Sequence, residues 1–149
     1  NNPLFERSHI LIGDEGIARL EASHVLVAGI GGVGSYTAEA LARLGVGQLT
    51  LVDHDVVSPS NLNRQLIALN STVNRLKISV MAERIKDINP TCRVTVLNQF
   101  LSPESIPPLL EKPFDVVIDA SSVFVSLGEF GGDVPGSGWG GGGTSYCKR

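Results

Sequence analysis

A glycine-rich turn followed by a distant carboxylate is the feature of this sequence best suited to chemistry. The turn follows the apolar run 25–28, and its glycines are Gly29, Gly31, Gly32 and Gly34. Gly29 allows a tight exit from a strand, Gly31 lets backbone approach a phosphate, and Gly34 lets a helix pack closely. Asp53 lies 19 residues after Gly34, at the end of the apolar run 49–52, where its carboxylate can bind a ribose. The pattern predicts a nucleotide-binding βαβ unit.

Two further polar features are not needed by a dinucleotide fold alone. The segment 61–65 places Asn61, Asn63, Arg64 and Gln65 together, and amide and guanidinium groups of this kind bind ribose or phosphate. Lys77, in the first turns of a predicted helix, could reach a triphosphate from the opposite side. The simpler interpretation is a solvated loop with a helix cap at Asn63 and an ordinary surface lysine.

The elements that must position these residues alternate between strand and helix. Strands are predicted over 25–29, 49–53, around 94–96 and over 114–119. Helices are predicted over 33–44 and 73–88, with a short helix opened by Pro103. Such alternation predicts an α/β fold: a Rossmann-like, doubly wound, mostly parallel sheet with helices on both faces. Its carboxyl edge is where ligands bind in open sheets of this kind.

Three regions are predicted along the 149 residues. Residues 1–24 form a short N-terminal helical segment, with two short helices joined by a turn at 13–16, and residues 25–122 form the nucleotide-binding domain. Residues 123–149 form a glycine-rich tail that we expect to be disordered, because it has too little apolar surface to offset the entropy of ordering. A phosphate- or RNA-binding glycine loop is the alternative there. The tail also fits a truncated, mis-spliced or frame-shifted product.

Composition excludes some classes of protein. The net charge of −3, with acids and bases interspersed, gives no basic stripe for binding a phosphate backbone. The apolar runs are too short to span a membrane, so no membrane partner and a cytoplasmic location are expected. Cys92 and Cys147 have no C-x-x-C spacing, which argues against a disulfide framework or a zinc site.

Several stretches together resemble the family of ubiquitin-activating-enzyme-type (ThiF-type) adenylating proteins, which includes the activators of the thiamine and molybdopterin sulfur carriers. The resemblance covers residues 3 to about 120, and two of its stretches are typical of the tRNA threonylcarbamoyladenosine dehydratase branch, namely 63–69 and 80–90. The other matching stretches are 5–8, 11–13, 27–35 and 38–43.

The resemblance implies an ATP site rather than a nicotinamide site. In the family, the glycine loop holds the phosphates, the acid matching Asp53 holds the ribose, and residues matching Arg64 and Lys77 contact the phosphates. The arginine matching Arg7 enters the partner's site across a homodimer interface. The implied reaction is ATP- and Mg²⁺-dependent adenylation of a carboxylate. In this branch that reaction cyclises N6-threonylcarbamoyladenosine in tRNA, and a cysteine desulfurase-type sulfur-transfer partner is a further implied partner.

The sequence departs from the family pattern where the fourth predicted strand ends. The family has Asp-x-x-Asp there, with the second acid on Mg²⁺, whereas this chain has Asp119 followed by Ser122 at the second position. A hydroxyl is a poorer ligand for Mg²⁺ than a carboxylate, and Asp119 is the weaker candidate metal ligand. Asn74 stands where the family usually has glycine, a mild change because asparagine tolerates positive φ. The rest of the sheet and a tRNA-binding surface are missing after residue 120.

Several interpretations therefore remain open. The first is an adenylating enzyme of the dehydratase branch or its nucleotide-binding half, in an incomplete or inactive form. The others are an activator of a ubiquitin-like or sulfur-carrier protein, a nicotinamide-dependent oxidoreductase, and a non-catalytic nucleotide-binding or dimerising module. An oxidoreductase requires only the glycine loop and Asp53, so NAD binding unaffected by loss of Lys77 would favour it.

Overall fold

The computed structural model describes residues 2–102 and 104–121, together with the backbone of three short strands between 133 and 148. A 3₁₀ turn, Pro3–Phe5, precedes the first helix. The helices are α1 (Glu6–Glu21), α2 (Gly32–Leu44), α3 (Lys77–Ile88) and α4 (Ile106–Leu110). The strands are β1 (His24–Ala28), β2 (Gln48–Asp53), β3 (Arg93–Asn98), β4 (Val116–Asp119), β5 (Asp133–Val134), β6 (Trp139–Gly142) and β7 (Ser145–Lys148).

A parallel sheet with the order β3-β2-β1-β4 forms the centre of the fold. Its registers bring Ala28, Val52 and Asp119 to the same carboxyl edge. Residues alternate between the two faces of each strand, so each face of β1 contacts a different layer of helices. The predicted Rossmann-like, doubly wound architecture is confirmed.

Two apolar clusters cover the two faces. Val25 and Val27 of β1 belong to the larger cluster, which includes residues of α2 and α3. Leu26 and Ala28 belong to the smaller one, to which α4 contributes. Near-continuous burial of β1 and β2 is what a parallel strand covered on both faces requires.

The segment predicted to be a disordered tail contains three described strands. Strand β7 pairs antiparallel with β4, and β6 joins β7 to β5, which extends the sheet beyond its parallel part. At the residues of these strands the prediction of disorder is wrong. That prediction rested on the lack of apolar side chains, whereas strand pairing along the free edge of β4 uses backbone hydrogen bonds. The other residues between 122 and 149 lie outside the described residues, and the prediction there stays a prediction.

Two predicted helices have informative boundaries. Helix α1 is broken at Gly13, where φ is 68° and ψ is −177°, as the predicted turn between two short helices requires. Helix α3 begins at Lys77 rather than near residue 73. The backbone just before Lys77 pairs with Val57 instead of forming a helical turn: Val57 N–H donates to Arg75 O at 2.8 Å, and Asn74 N–H donates to Val57 O at 2.8 Å. Within the described residues no helix is long and apolar enough to cross a membrane.

Candidate nucleotide-binding site

A cavity of about 460 Å³ opens at the carboxyl edge of the parallel sheet. It lies where β1, β2, β3 and β4 all end, which is the position at which open α/β sheets bind ligands. Its described lining consists of Gly29, Gly31, Gly32, Val33, Val52, Asp53, His54, Asp55, Arg64, Gln65, Lys77, Gln99, Leu101, Asp119, Ala120 and Ser121. Eight predicted site residues are therefore brought together: Gly29, Gly31, Gly32, Asp53, Arg64, Gln65, Lys77 and Asp119.

The glycines of the turn divide into packing and lining positions. A Cβ on Gly34 would lie 1.6 Å from the Gly29 carbonyl oxygen, and one on Gly29, whose φ is +93°, would lie 2.8 Å from Ala120 O. On Gly31 a Cβ would meet nothing nearer than Gln65 Nε2 at 3.6 Å. Gly34 lies outside the described lining, and its lack of a side chain lets α2 approach the turn. Gly31 lines the cavity and leaves room for a ligand beside the start of α2.

Asp53 is held rigidly between the turn and the end of β2. Its Oδ2 accepts a hydrogen bond from Ile30 N–H at 2.7 Å, and its Oδ1 accepts one from Asp55 N–H at 2.8 Å. Two backbone donors fix the orientation of the carboxylate without neutralising it. The carboxylate therefore stands next to the glycine turn as an acceptor that a ribose hydroxyl can reach.

Asn61 and Asn63 differ from the prediction that they line the site. Asn61 is buried in the 3₁₀ turn Pro59–Asn61, where its Oδ1 accepts from Ser58 N–H at 2.9 Å. The Oδ1 of exposed Asn63 accepts from Arg64 Nη1 at 3.1 Å. Both lie outside the described lining. Their amides hold the loop and the arginine, an arrangement that residue type alone cannot distinguish from ligand binding.

Arg64 and Gln65 face the glycine turn from the loop. The Arg64 guanidinium also donates through Nη1 to Ser60 O at 3.1 Å, which leaves its other N–H groups for a ligand. Gln65 is 7% exposed, and among the described residues its Oε1 is a buried oxygen without a hydrogen-bond partner. The hydroxyl of fully buried Ser35 links the glycine turn to the loop that carries Arg64 and Gln65, because it donates to Gly31 O and accepts from Leu66 N–H.

Lys77 enters the cavity from the first residue of α3. Its side chain is 8% exposed, and its Nζ lies 3.8 Å from Asp55 Oδ2. Its backbone N–H donates to Asp55 O at 3.1 Å, which fixes the start of the helix against the loop after β2. A buried ammonium at the edge of a cavity is well placed to bind an anion. Lys77 is therefore not the solvated surface lysine of the simpler interpretation.

Asp119 is the buried acid at the end of β4. Its Oδ1 accepts from Ser121 N–H at 3.1 Å and from Ser121 Oγ at 2.7 Å. Ser122 lies outside the described residues. Arg7 is exposed on α1 and lies outside the described lining of the cavity.

Sequence reasoning missed several lining residues, chiefly His54, Gln99, Leu101 and Ser121. Each stands within three residues of the end of β2, β3 or β4. The signal that could have found them is position rather than residue type, because the carboxyl ends of parallel strands meet at one edge.

The fold and this cavity define an α/β unit with a candidate nucleotide-binding site, in which a glycine turn, a carboxylate and two cationic side chains line one cavity. Residues 5–124 match the ThiF family, and the chain belongs to that family.

Individual relatives agree with this assignment. The chain is 50% identical over 106 residues to the tRNA threonylcarbamoyladenosine dehydratase of Haemophilus influenzae, and the matched region covers 71% of this chain and 41% of that protein. It is 50% identical over 117 residues to the Bacillus subtilis protein of the same name, and the matched region covers 78% of this chain and 46% of that protein. The structure of Escherichia coli tRNA N6-threonylcarbamoyladenosine dehydratase in complex with ATP matches with a TM-score of 0.78 and 44% identity, over 80% of this chain and 49% of that one. The chain thus spans less than half the length of these curated relatives.

Proposed function

We propose that this chain binds ATP and supplies the nucleotide site of an enzyme that adenylates a carboxylate, of the tRNA threonylcarbamoyladenosine dehydratase kind. The observation that carries the proposal is the cavity, in which the glycine turn and Asp53 are joined by two cations, Arg64 and Lys77. A nicotinamide site needs the turn and the acid but no such pair of cations. The relatives named above, one of them solved with ATP, support the same assignment.

The proposed reaction is attack by a carboxylate oxygen on the α-phosphorus of ATP. A new oxygen–phosphorus bond forms an acyl-adenylate, the bond to the β-phosphate breaks, and pyrophosphate leaves. Arg64 and Lys77 stabilise the negative charge that develops on the phosphates, as do the unpaired N–H groups at the start of α2. Asp53 orients the ribose. In the dehydratase reaction a group within the same modified nucleoside then attacks the acyl carbon and displaces AMP, which closes a ring with overall loss of water.

Asp119 is the cavity carboxylate that best fits a Mg²⁺ ion. Both oxygens of Asp53 accept backbone N–H groups, and Asp55 lies close to Lys77. The Oδ1 of Asp119 accepts from Ser121, whereas among the described residues its Oδ2 has no hydrogen-bond partner. Mg²⁺ is commonly held by one or two carboxylates together with substrate phosphates. The ion would neutralise phosphate charge there.

We extend the proposal to a homodimer in which Arg7 reaches the neighbouring subunit's site. Arg7 is exposed on α1 and is not among the described residues that line the cavity of its own chain. On the same helix, Ile10 and Leu11 are 79% and 86% exposed, and on α2 Val33 and Tyr36 are more than half exposed. Apolar side chains this exposed favour a protein contact. Sedimentation analysis of the chain and of an Ile10→Lys, Leu11→Lys variant tests the dimer. Dimerisation unchanged by the double substitution would contradict this use of α1.

The tRNA substrate and a cysteine desulfurase-type partner are proposed from family membership. Transfer of ³²P between pyrophosphate and ATP in the presence of modified tRNA tests the first. Retention of the desulfurase on immobilised protein tests the second.

Calorimetric titration of the chain with Mg-ATP, and separately with NAD, tests the proposed function. We expect ATP to bind and NAD to bind weakly or not at all. The matched pair of variants is Arg64→Ala in the cavity and Arg43→Ala, an exposed arginine on α2 outside it. Weaker ATP binding in the first variant and unchanged binding in the second supports the site. NAD binding that is indifferent to Arg64 would overturn the proposal in favour of an oxidoreductase.

A further inference from the structure

The two cations of the cavity are held in different ways. Arg64 is exposed, and its guanidinium donates to Ser60 O and to Asn63 Oδ1, which are neutral acceptors. The Lys77 side chain is 8% exposed, and its Nζ lies 3.8 Å from Oδ2 of the Asp55 carboxylate. A buried ammonium needs a counter-ion, because burial removes the water that would otherwise stabilise its charge. Before a nucleotide binds, Asp55 supplies that counter-ion.

Asp55 differs from the other two acids of the lining, Asp53 and Asp119. Both oxygens of Asp53 accept backbone N–H groups, and Oδ1 of Asp119 accepts from Ser121. Among the described lining residues, Asp55 is the acid that pairs with one of the two cations, and its side chain is 55% exposed. Its backbone is fixed, because its N–H donates to Asp53 Oδ1 at 2.8 Å and its O accepts from Lys77 N–H at 3.1 Å. The carboxylate can therefore turn while its backbone stays in place.

The geometry of this ion pair sets Asp55 in competition with a phosphate. A separation of 3.8 Å is longer than a hydrogen bond, so the N–H groups of Lys77 stay available to a ligand. A phosphate oxygen that accepts from this Nζ at about 2.8 Å lies within about 7 Å of Asp55 Oδ2. Two negative charges this close repel each other. The carboxylate has an alternative partner, because its Oδ1 lies 3.2 Å from His54 Nε2.

We propose that Asp55 acts through Lys77 to lower the affinity of the site for polyphosphate, which promotes the release of pyrophosphate. The inference rests on the proposed ATP site and deepens it. Asp55 stabilises the ammonium before the nucleotide binds and repels the β- and γ-phosphates afterwards, so both effects oppose retention of these phosphates. Pyrophosphate consists of the same two phosphates, and after the bond to the α-phosphate breaks only non-covalent contacts hold it. Product release limits the rate of many enzymes, so a weaker hold on pyrophosphate favours turnover.

Replacing Asp55 by asparagine tests the proposal, because it removes the charge and keeps the size and the backbone contacts. The chain, Asp55→Asn and the matched control Asp87→Asn are titrated calorimetrically with Mg-ATP, with magnesium pyrophosphate and with AMP. Asp87 lies on α3 but is exposed and outside the described lining. We expect Asp55→Asn to bind ATP and pyrophosphate about three- to tenfold more tightly and AMP with little change. Asp87→Asn should leave all three affinities unchanged.

A double-mutant cycle with Lys77→Met separates this role from a general effect of charge in the cavity. Without Lys77 no buried ammonium needs a counter-ion, and no ammonium anchors a phosphate near the carboxylate. Adding Asp55→Asn to Lys77→Met should therefore produce a much smaller gain in affinity than adding it to the unaltered chain. An equal gain in both backgrounds would mean that Asp55 acts independently of Lys77, which overturns the inference.

Two further substitutions guard against an effect on folding. Asp55→Ser is a second uncharged variant, whereas Asp55→Glu keeps the charge and should bind both ligands much as the unaltered chain does. Circular dichroism checks that each variant is folded. Unchanged or weaker binding of ATP and pyrophosphate by the folded uncharged variants overturns the inference and leaves the ATP site in place. Failure of the unaltered chain to bind ATP overturns the proposed function and this inference together.

Discussion

Replacing Lys77 by methionine should remove most of the chain's preference for ATP over AMP. The Lys77 side chain is 8% exposed, with its Nζ beside the cavity and 3.8 Å from Asp55 Oδ2. A charge-assisted hydrogen bond contributes about 1.5–3 kcal/mol, which corresponds to a roughly 10- to 150-fold loss of ATP affinity. Asp55 is more than half exposed, so water compensates for its lost partner and the variant should stay folded. AMP should lose less affinity, because it lacks the β- and γ-phosphates.

Calorimetry with ATP and with AMP measures this effect, and Lys86→Met is the matched control. Lys86 is on the same helix but is exposed and outside the described lining of the cavity. Both substitutions remove one positive charge from α3, so a long-range effect of net charge would appear equally in both. Equal ATP affinities for the two variants would refute the assignment of Lys77 to the phosphates. An equal loss of ATP and AMP affinity would place its contact at the α-phosphate or the ribose instead.

Three further predictions concern the residues that shape and support the site. Gly34→Ala should destabilise the chain by more than about 4 kcal/mol or prevent folding, because its Cβ would lie 1.6 Å from a backbone oxygen; Gly31→Ala should fold and lose nucleotide affinity. Urea denaturation and calorimetry separate these two results, and a stable Gly34→Ala variant would contradict the packing argument. Asn74 has φ of 71°, so Asn74→Gly should be neutral or stabilising, whereas Asn74→Val should cost about 1–2 kcal/mol in urea denaturation; equal stabilities would show that the strained φ is relieved. Burial lowers the pKa of His24 below its ordinary value of 6.5; the Asp115 carboxylate partly opposes this by raising the pKa, and Arg93 lowers it by a smaller amount. The unfolded chain therefore binds more protons than the folded one, and the free energy of unfolding should fall as pH drops from about 6.5 towards the folded pKa. His24→Gln should flatten that part of the pH profile, and an unchanged slope would assign it to another group.

The parallel part of the fold could be predicted because its signals are local. The apolar runs that became β1 and β2 are buried on both faces, and the run that became β4 is buried on one face and partly buried on the other. Helix α2 ends at Gly45 in the left-handed conformation, with φ of 108°. The start of α3 could not be predicted from local sequence signals. Residues 73–76 carry a helical apolar pattern, yet their backbone pairs with Val57 some 17 residues earlier, and that long-range contact overrides the local preference.

The site was predictable where residue type and motif agree, and less so elsewhere. Gly31, Asp53 and Lys77 line the cavity as expected. Asn61 and Asn63 were assigned to the ligand on the same grounds, but a short amide in a loop competes for nearby backbone groups, and the structure shows them in those bonds. Gln99 was not predicted, because its residue type suggested no role, whereas its position directly after β3 places it in the described lining.

The cationic groups of the cavity are held before any ligand arrives, and this bears on how the site could work. Arg64 is fixed by Ser60 O and Asn63, Lys77 lies against Asp55, and Ser35 ties the Arg64 loop to the glycine turn through Gly31 O and Leu66 N–H. Groups that need no reorganisation stabilise developing charge more effectively than mobile ones. Because Ser35 is buried and is not itself among the described lining residues, its loss should reach a ligand only by loosening the Arg64 loop relative to the glycine turn. In Ser35→Ala, affinity for ATP should therefore fall, whereas affinity for adenosine, which carries no phosphate, should stay the same.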